Sequence, residues 1–284
     1  MTRAYTVKGK KRKNKDAATN QNHEEEEEEE QQIQAAPKKP NLQNDEQSAP
    51  IATTTTEESE LPGIPIAPLS EKNNEKQSVI FILEKASLEV AKVGKTYQLL
   101  NSDEHSNFLR KHSKDPADYR PDICHQALLS ILDSPLNKAG RLKMVYIRTE
   151  KGVLIEVKPY VRIPRTFKRF AGVMLELLQK LSITAAGKRE KLLRTIKNPV
   201  TQYLPVNSRK AGLSKSSEKL VDMNSYLSTI PSNQDLVFVV GAMSHGKVET
   251  DYTDDYIAVS DYPLSAAYCI TRITNAIEGK WNIL

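Results

Sequence analysis

Runs of apolar residues, separated by polar stretches, divide the chain after residue 77 into alternating strands and helices. Continuous apolar runs over residues 79–83 and 237–240 are typical of strands buried on both faces of a sheet. Two further strands, 144–147 and 153–157, are predicted to pair as a hairpin through Gly152. The alternation predicts an α/β fold with a largely parallel sheet.

Helical periodicity is clearest over residues 165–181, where Phe167, Phe170, Met174 and Leu177 recur at helical spacing. Proline and glycine positions mark the ends of the other elements. The remaining predicted helices are 87–100, 122–132, 188–196 and 263–279, and the remaining predicted strands are 200–206 and 256–259. Residues 101–120 are predicted to form a loop with a short helix, and residues 207–219 an irregular segment.

Residues 1–76 lack this pattern and are predicted to be a disordered, low-complexity tail, whereas residues 77–284 form the folded domain. The tail begins with a basic cluster between Lys8 and Lys15 and continues with seven consecutive glutamates. The basic cluster is either a nuclear-localisation or nucleic-acid-binding signal or a solvated tail without such a role. The acidic run is typical of a solvating segment or of a site for basic partners.

Charge and cysteine content narrow the class of protein. The chain has 284 residues and a net charge of +5, but residues 1–76 hold 11 Lys/Arg against 15 Asp/Glu, a net −4, so residues 77–284 carry +9. This surplus favours a polyanionic partner. With only Cys124 and Cys269, the sequence indicates neither a disulfide framework nor a metal site. We expect an intracellular, soluble protein, because no signal peptide or membrane-spanning run is evident.

The segment Gly241–Lys247 fits most of a phosphate-binding loop, but the match is incomplete. Val248 stands where that motif needs a serine or threonine for magnesium, and the following residues are acidic and loop-like rather than helical. The two glycines nevertheless allow backbone to approach a ligand closely. This loop and the one near Pro263 each follow a predicted strand, which indicates a shared ligand crevice.

A basic set lies in the segment VRIPRTFKRF, at Arg162, Arg165, Lys168 and Arg169. Arg165 and Arg169 are four residues apart and are predicted to share a face at the start of a helix. Guanidinium groups match phosphate oxygens, and few acidic residues lie nearby. An ordinary charged helix face is the alternative to an RNA or DNA contact.

Two carboxylates flank the predicted helix 122–132. Asp122 follows Arg120-Pro121 and Asp133 precedes Ser134-Pro135, about 16 Å away along a regular helix, which is too far for a paired acid/base site. Asp122 is either a helix N-cap or a partner that holds Arg120, and Asp133 can be a helix-stop residue. Among the histidines only His245 lies near the glycine loop, and no zinc site or catalytic triad is indicated.

Four separated segments, RPDICHQALLSILDSPLN, IEVKPYVRIPRTFKRF, VFVVGAMSHGK and VSDYPLSAA, together resemble one family. It is the eukaryotic nucleolar essential protein one family of ribosome-biogenesis methyltransferases, which modify the ring N1 of a pseudouridine in small-subunit ribosomal RNA. The resemblance covers residues 78–284. It implies a SPOUT-type methyltransferase domain with a deep C-terminal trefoil knot, a homodimer, and S-adenosylmethionine as cofactor.

The resemblance also implies roles for individual residues. The implied cofactor-binding positions are Leu213, Gly241, Gly246, Val259, Ser260, Asp261, Tyr262, Pro263 and Leu264. The implied RNA contacts are Arg120, Arg162, Arg165 and Arg169, with Asp122 steadying Arg120. Val248 fits this reading because a cofactor without phosphate needs no magnesium ligand. As the acceptor of the pseudouridine N1 proton, our hypothesis is Asp133.

The resemblance implies a nuclear, nucleolar protein whose partners are small-subunit ribosomal RNA, a second copy of the chain and other small-subunit assembly factors, with no membrane association. The alternative function is that of an RNA-binding assembly factor without enzymatic activity, which would use the same basic surface.

Overall fold

An eight-stranded mixed sheet forms the centre of the molecule, in the order β10-β8-β9-β1-β4-β5-β7-β6. The computed structural model describes residues 76–284 except 186, 188, 249 and 250. The predicted tail, residues 1–76, lies outside the described residues apart from Lys76.

The strands and helices, each numbered in chain order, have the following bounds. The strands are β1 (Val79–Ala86), β2 (Val90–Val93), β3 (Thr96–Leu99), β4 (Leu142–Thr149), β5 (Leu154–Val157), β6 (Ser182–Thr184), β7 (Lys191–Ile196), β8 (Ser208–Leu213), β9 (Asp235–Gly241) and β10 (Asp255–Ile257). The helices are α1 (Ser102–Lys111), α2 (Pro121–Leu132), α3 (Pro135–Lys138), α4 (Phe167–Lys180), α5 (Met223–Ser228) and α6 (Ala266–Trp281).

The five strands β10, β8, β9, β1 and β4 are all parallel, whereas β5, β7 and β6 extend the sheet in antiparallel fashion. In parallel strands the carboxyl ends meet at one edge of the sheet. Leu213 at the end of β8, Gly241 at the end of β9 and Glu84 near the end of β1 therefore lie side by side. This edge carries the candidate site described below.

The two faces of the sheet are covered differently. The helices pack on one face, where alternate strand residues such as Phe81 and Phe238 join the main core. On the other face a smaller apolar cluster includes Ile82 and Val239, and segments without long helices cover it. The inner strands are apolar on both faces, which explains why β1 and β9 appear in the sequence as uninterrupted apolar runs.

The α/β class and the strands β1, β4, β5, β9 and β10 are confirmed, and the pair β4–β5 is an antiparallel hairpin as predicted. The predicted helix 87–100 was wrong, because β2 and β3 form a separate antiparallel hairpin there. Gly94 at its turn has a φ of +64°, a conformation that favours a turn, and the flanking β-branched residues favour strands.

The helix predicted over residues 188–196 was also wrong. Its apolar residues pair as strand β7 between β5 and β6, so tertiary pairing overrides a short helical pattern. The strand predicted at 200–206 is a short 3₁₀ turn, Val200–Tyr203. The segment 207–219 was predicted to be irregular but contains the inner strand β8. Its polar residues Ser208–Lys210 lack the apolar pattern that indicates a buried strand.

Helix ends differ from the sequence prediction by a few residues. Helix α2 has Arg120 as its N-cap and Pro121 in its first turn, so Asp122 is inside the helix and not its cap. Helix α4 begins at Phe167 after Thr166, which places Arg165 before the helix rather than on its face. Helix α6 begins after Ser265, whose hydroxyl accepts a hydrogen bond from the Tyr268 amide. Among the described residues, no helix is long and apolar enough to span a membrane.

The Phe81–Phe238 ring pair offers a test of the main core. Both side chains are buried, with ring centroids 5.9 Å apart across the β1–β9 pair. We expect Phe238→Ala to lower the free energy of unfolding by about 3–5 kcal/mol, because it removes apolar contacts and leaves a cavity. Urea titration measures the change, and the exposed Tyr97→Ala serves as the control with little effect.

Candidate functional site

An open cavity of about 430 Å³ lies at the sheet edge where β8, β9 and β10 end. We name it the strand-end cavity. Four segments line it: the end of β8 with the residues that follow it, the loop after β9, the segment between β10 and α6 with the first turn of α6, and the first turns of α2. Its position is the usual one for a ligand in an α/β sheet, and its volume is within the usual range for small-molecule sites.

The loop 241–248 forms the first wall of this cavity. A β-carbon added at Gly241 would lie 2.9 Å from Met243 Cε and 3.0 Å from Val248 Cγ2, so only glycine fits without a shift of its neighbours. Gly246 has a φ of +109°, a region that is strained for other residues. Val248 is buried and joins the apolar cluster on the helix-poor face. Apolar packing of Val248 on the sheet thus holds the end of the loop in place.

Polar contacts hold the same loop from the side. The Ser244 hydroxyl donates to the Ala117 carbonyl at 2.7 Å, and His245 Nε2 lies 2.7 Å from Asp118 Oδ1. The Lys85 ammonium donates to the Lys247 carbonyl at 3.1 Å. The first two contacts join the loop to the 3₁₀ turn Pro116–Asp118, which ends two residues before Arg120, and the third joins it to β1.

The segment 258–265 forms the second wall. Val259 is buried and Leu264 packs against the main core, so both offer apolar surface to the cavity. Tyr262 is exposed, and its amide donates to the Ser260 hydroxyl at 3.0 Å. A parallel bridge between Leu220 and Ala258 fixes the start of the segment.

Arg120 and Asp122 form the third wall, at the N-terminal end of α2. The guanidinium donates twice to the carboxylate, Nε to Oδ1 at 2.8 Å and Nη2 to Oδ2 at 2.7 Å. This pairing raises the pKa of Arg120 above its ordinary value, chiefly through the hydrogen bonds that the guanidinium donates to Asp122. A bidentate pair fixes the plane of the guanidinium while leaving other N–H groups free to bind a ligand.

The cavity brings together most of the cofactor positions that the resemblance implies. Lining residues include Leu213, Gly241, Gly246, Val259, Ser260, Tyr262, Pro263 and Leu264. Asp261 lies in the same segment but is not among the lining residues. Sequence reasoning passed over Ile123 and Gln126, which line the cavity from α2. Helical spacing could have indicated Gln126, because it lies one turn after Asp122 on the same face of the helix.

The structure also explains the incomplete phosphate-loop motif. The next element after the loop is the strand β10, whereas a phosphate-binding loop opens a helix. The Lys247 carbonyl accepts a hydrogen bond from the Lys85 ammonium. Within the described part of the chain, no group of three His, Cys, Asp or Glu residues could hold a metal ion.

The remaining predicted RNA contacts lie on a separate surface, which we name the arginine surface: Arg162, Arg165, Lys168 and Arg169. All four side chains are exposed, and Val161 and Ile163 on either side of Arg162 are buried. Two side chains hold the backbone of this segment: His125 Nε2 lies 2.7 Å from the Pro164 carbonyl, and Asn137 donates to the Pro159 carbonyl at 2.8 Å. Arg162 and Arg165 therefore project from a fixed loop, and Lys168 and Arg169 from the first turn of α4.

The geometry is at odds with Asp133 as the proton acceptor. Asp133 is the C-cap of α2, while the cavity lies at the N-terminal end of that helix, which spans about 18 Å for its 12 residues. Its carboxylate instead pairs with Arg165 at 3.0 Å and with Lys138 at 3.9 Å. Within one chain, Asp133 orients an arginine and does not reach a group bound in the cavity.

A buried carboxylate lies beneath the cavity at Glu84, on the strand next to Gly241. Its backbone carbonyl accepts a hydrogen bond from the Ala242 amide at 2.8 Å. Burial raises the pKa of Glu84, and this outweighs the hydrogen bond from the Tyr252 hydroxyl at 3.0 Å and the charges of Arg148 and Lys85. Burial also raises the pKa of Tyr252.

The family model described as EMG1/NEP1 methyltransferase matches residues 81–278. A mouse protein named ribosomal RNA small subunit methyltransferase NEP1 is 52% identical over 206 residues, covering 72% of this chain and 83% of the relative. A Caenorhabditis elegans protein named ribosomal RNA small subunit methyltransferase nep-1 is 49% identical over 210 residues, covering 74% and 90%.

A solved structure shares the fold. It is the crystal structure of Archaeoglobus fulgidus Nep1 bound to S-adenosylhomocysteine, with a TM-score of 0.54 and 21% sequence identity, covering 73% of this chain and 99% of that chain.

The raised pKa of Glu84 gives a test by pH. A carboxyl whose pKa is higher in the folded protein opposes folding when it is ionised, so it contributes most favourably at low pH and least above its folded pKa. We expect Glu84→Gln, which can still accept from Tyr252, to unfold at higher urea concentration than the unsubstituted protein at pH 8. The difference should shrink as the pH falls below about 4, where both side chains are neutral. An equal difference at every pH would contradict this account.

Proposed function

Because the chain belongs to the EMG1/NEP1 methyltransferase family, we propose that it methylates ring N1 of a pseudouridine in small-subunit ribosomal RNA with S-adenosylmethionine. The observation that carries the proposal is the strand-end cavity, where eight implied cofactor positions meet Arg120. The names of the relatives support the RNA class, since they are small-subunit ribosomal RNA methyltransferases.

The lining of the cavity suits this cofactor. Leu213, Val259 and Leu264 offer apolar walls for an adenosine, and Gly241 and Gly246 let the backbone approach it. When bound, S-adenosylmethionine supplies an electrophilic methyl group on a sulfonium, so the reaction needs no metal ion. The residues of the chain have to orient the pseudouridine and exclude water.

Arg120 is the group best placed to orient the RNA at this cavity. Its guanidinium lines the cavity while Asp122 fixes its plane, so a phosphate or base oxygen meets a donor that is already ordered. The target base has to leave its stack to reach the cavity, which costs a few kcal/mol. Contacts of the arginine surface with phosphates offset this cost by binding the flanking RNA.

The N1 position also makes the reaction specific. In pseudouridine this ring nitrogen carries a proton, which leaves as the methyl group arrives, whereas in uridine N1 is bonded to the ribose. Uridine therefore has no free N1 that could accept the methyl group. The chemistry requires the cavity only to present N1 in line with the methyl group.

Further parts of the proposal concern assembly and location. We propose a SPOUT-type C-terminal trefoil knot, supported by family membership and by β8 lying between β9 and β10. We also propose a homodimer that works in the nucleolus with other small-subunit assembly factors, supported by family membership alone.

A second role as an RNA-binding assembly factor is favoured by one observation. Arg162, Arg165 and Arg169 lie outside the strand-end cavity, so much of the basic surface is separate from the site of methyl transfer. Such a surface can bind precursor RNA whether or not a methyl group is transferred.

The central test is methylation of a small RNA. We expect the protein to add the mass of one methyl group to a stem-loop that contains pseudouridine, and nothing to the same stem-loop with uridine. Gly241→Ala should weaken cofactor binding about tenfold by calorimetry while RNA affinity stays unchanged, because the added carbon displaces Met243 or Val248. If the protein bound the cofactor but added no mass to the RNA, the methylation proposal would fail and only the assembly role would remain.

The Arg165–Asp133 pair gives a test of the arginine surface. We expect Arg165→Ala to weaken RNA binding several-fold and to reduce the slope of log affinity against log salt by about 0.7–0.9, the value for one lost phosphate contact. Asp133→Asn frees Arg165, so it should alter RNA affinity but leave the single-turnover methylation rate at saturating RNA unchanged. A large loss of that rate in Asp133→Asn would restore Asp133 as a catalytic group.

A further inference from the structure

Tyr160 is an exposed aromatic residue next to the arginine surface, and neither the family resemblance nor the proposed reaction assigns it a role. It lies two residues before Arg162, in the segment that leads from β5 to α4. About half of its surface is accessible (49%), whereas the next residue, Val161, is buried. A tyrosine ring with this exposure offers a flat apolar face to a partner.

Hydrogen bonds fix both the backbone and the ring of Tyr160. The Val161 amide donates to the carbonyl three residues earlier at 3.1 Å, which closes a turn, and Asn137 donates to the Pro159 carbonyl in that turn at 2.8 Å. The Tyr160 hydroxyl donates to the carboxylate of Glu190, the residue before β7. The ring is therefore ordered before a partner binds, which lowers the entropic cost of binding.

Basic residues accompany the ring on both of the segments that the bond between Tyr160 and Glu190 joins. Arg162 follows the ring in one segment, and Arg189 and Lys191 flank Glu190 in the other. All three basic side chains are exposed, and among the described residues no carboxylate pairs with them. An exposed aromatic ring among basic side chains is typical of surfaces that bind single-stranded nucleic acid, where bases stack on the ring and phosphates bind the cations.

We propose that an unpaired base of the RNA stacks on Tyr160 while the phosphates next to it bind the basic residues around the ring. The inference rests on the part of the proposed function that assigns RNA binding to the arginine surface. Contacts of arginines with phosphates carry no sequence information. In a duplex each base is already stacked on its neighbours, so only an unpaired base is free to stack on the ring. Tyr160 therefore makes this surface prefer RNA with an unpaired nucleotide.

Substitutions of Tyr160 separate the ring from its hydroxyl. We expect Tyr160→Ala to bind the pseudouridine stem-loop about tenfold more weakly in fluorescence anisotropy without cofactor, the loss of one stacked base. Tyr160→Phe is the matched control, because it keeps the ring and loses only the bond to Glu190, so its affinity should stay close to that of the unsubstituted protein. Tyr160→Trp, with a larger face, should bind at least as tightly. An equal loss in the alanine and phenylalanine variants would overturn the inference.

Salt and RNA shape distinguish stacking from phosphate binding. Tyr160→Ala should leave the slope of log affinity against log salt unchanged, because it removes no phosphate contact, whereas Arg165→Ala reduces that slope. On a duplex of the same sequence, which has no unpaired base, Tyr160→Ala and the unsubstituted protein should bind equally. A reduced slope, or the same loss of affinity on the duplex as on the stem-loop, would overturn the inference.

These binding measurements do not depend on methyl transfer. If the unsubstituted protein bound the stem-loop without methylating it, the proposed reaction would fail, while the comparison of the Tyr160 variants would still decide the inference. If the unsubstituted protein did not bind the stem-loop, RNA binding by the arginine surface would fail, and the inference with it.

Discussion

The parallel pairing of β9 with β1 on one side and β8 on the other is the constraint on which the site depends. This pairing aligns Leu213, Gly241 and Glu84 at one edge, although they are far apart in the sequence. Burial on both faces makes a slip of register costly, because nearly every residue of β1 and β9 is buried. The loop 241–248 therefore starts from a rigid position at the end of β9. Its own contacts only have to hold the rest of the loop in place, with Val248 buried against the sheet.

Helix α2 connects the two parts of the site. Its N-terminal end presents Arg120 and Asp122 to the strand-end cavity, and its C-terminal end holds Arg165 through Asp133. From its middle, His125 contacts the loop that carries the arginine surface, and its ring stacks on Phe170 of α4. One rigid helix thus sets the distance between the strand-end cavity and the arginine surface. The acidic side chains at its two ends, Asp122 and Asp133, each order an arginine.

The sequence was sufficient for the class of fold, the strands that are apolar on both faces and most of the cavity. Those successes share a cause: Val237–Val240 and the glycine loop carry strong local signals in residues that also contact the site. Two of the failures, β7 and β8, were elements fixed by pairing with distant strands. Strand β8 begins with Ser208, Arg209 and Lys210, and β7 has a mixed pattern, so neither is evident before its neighbours are known. The same holds for Asp133, whose role depends on which end of a helix faces the cavity.

The fixed loop beneath the arginine surface has an entropic consequence. Ordering a flexible backbone on binding costs about 1–2 kcal/mol per residue, whereas ordering a long side chain costs about 0.5–1.5 kcal/mol. Because His125 and Asn137 already hold the loop, RNA binding has to order only the exposed guanidinium groups. Those groups can adjust to a helical stem, a bulge or a single strand without any movement of the main chain. The same surface can therefore accommodate an RNA that changes its shape while a ribosomal subunit is being built.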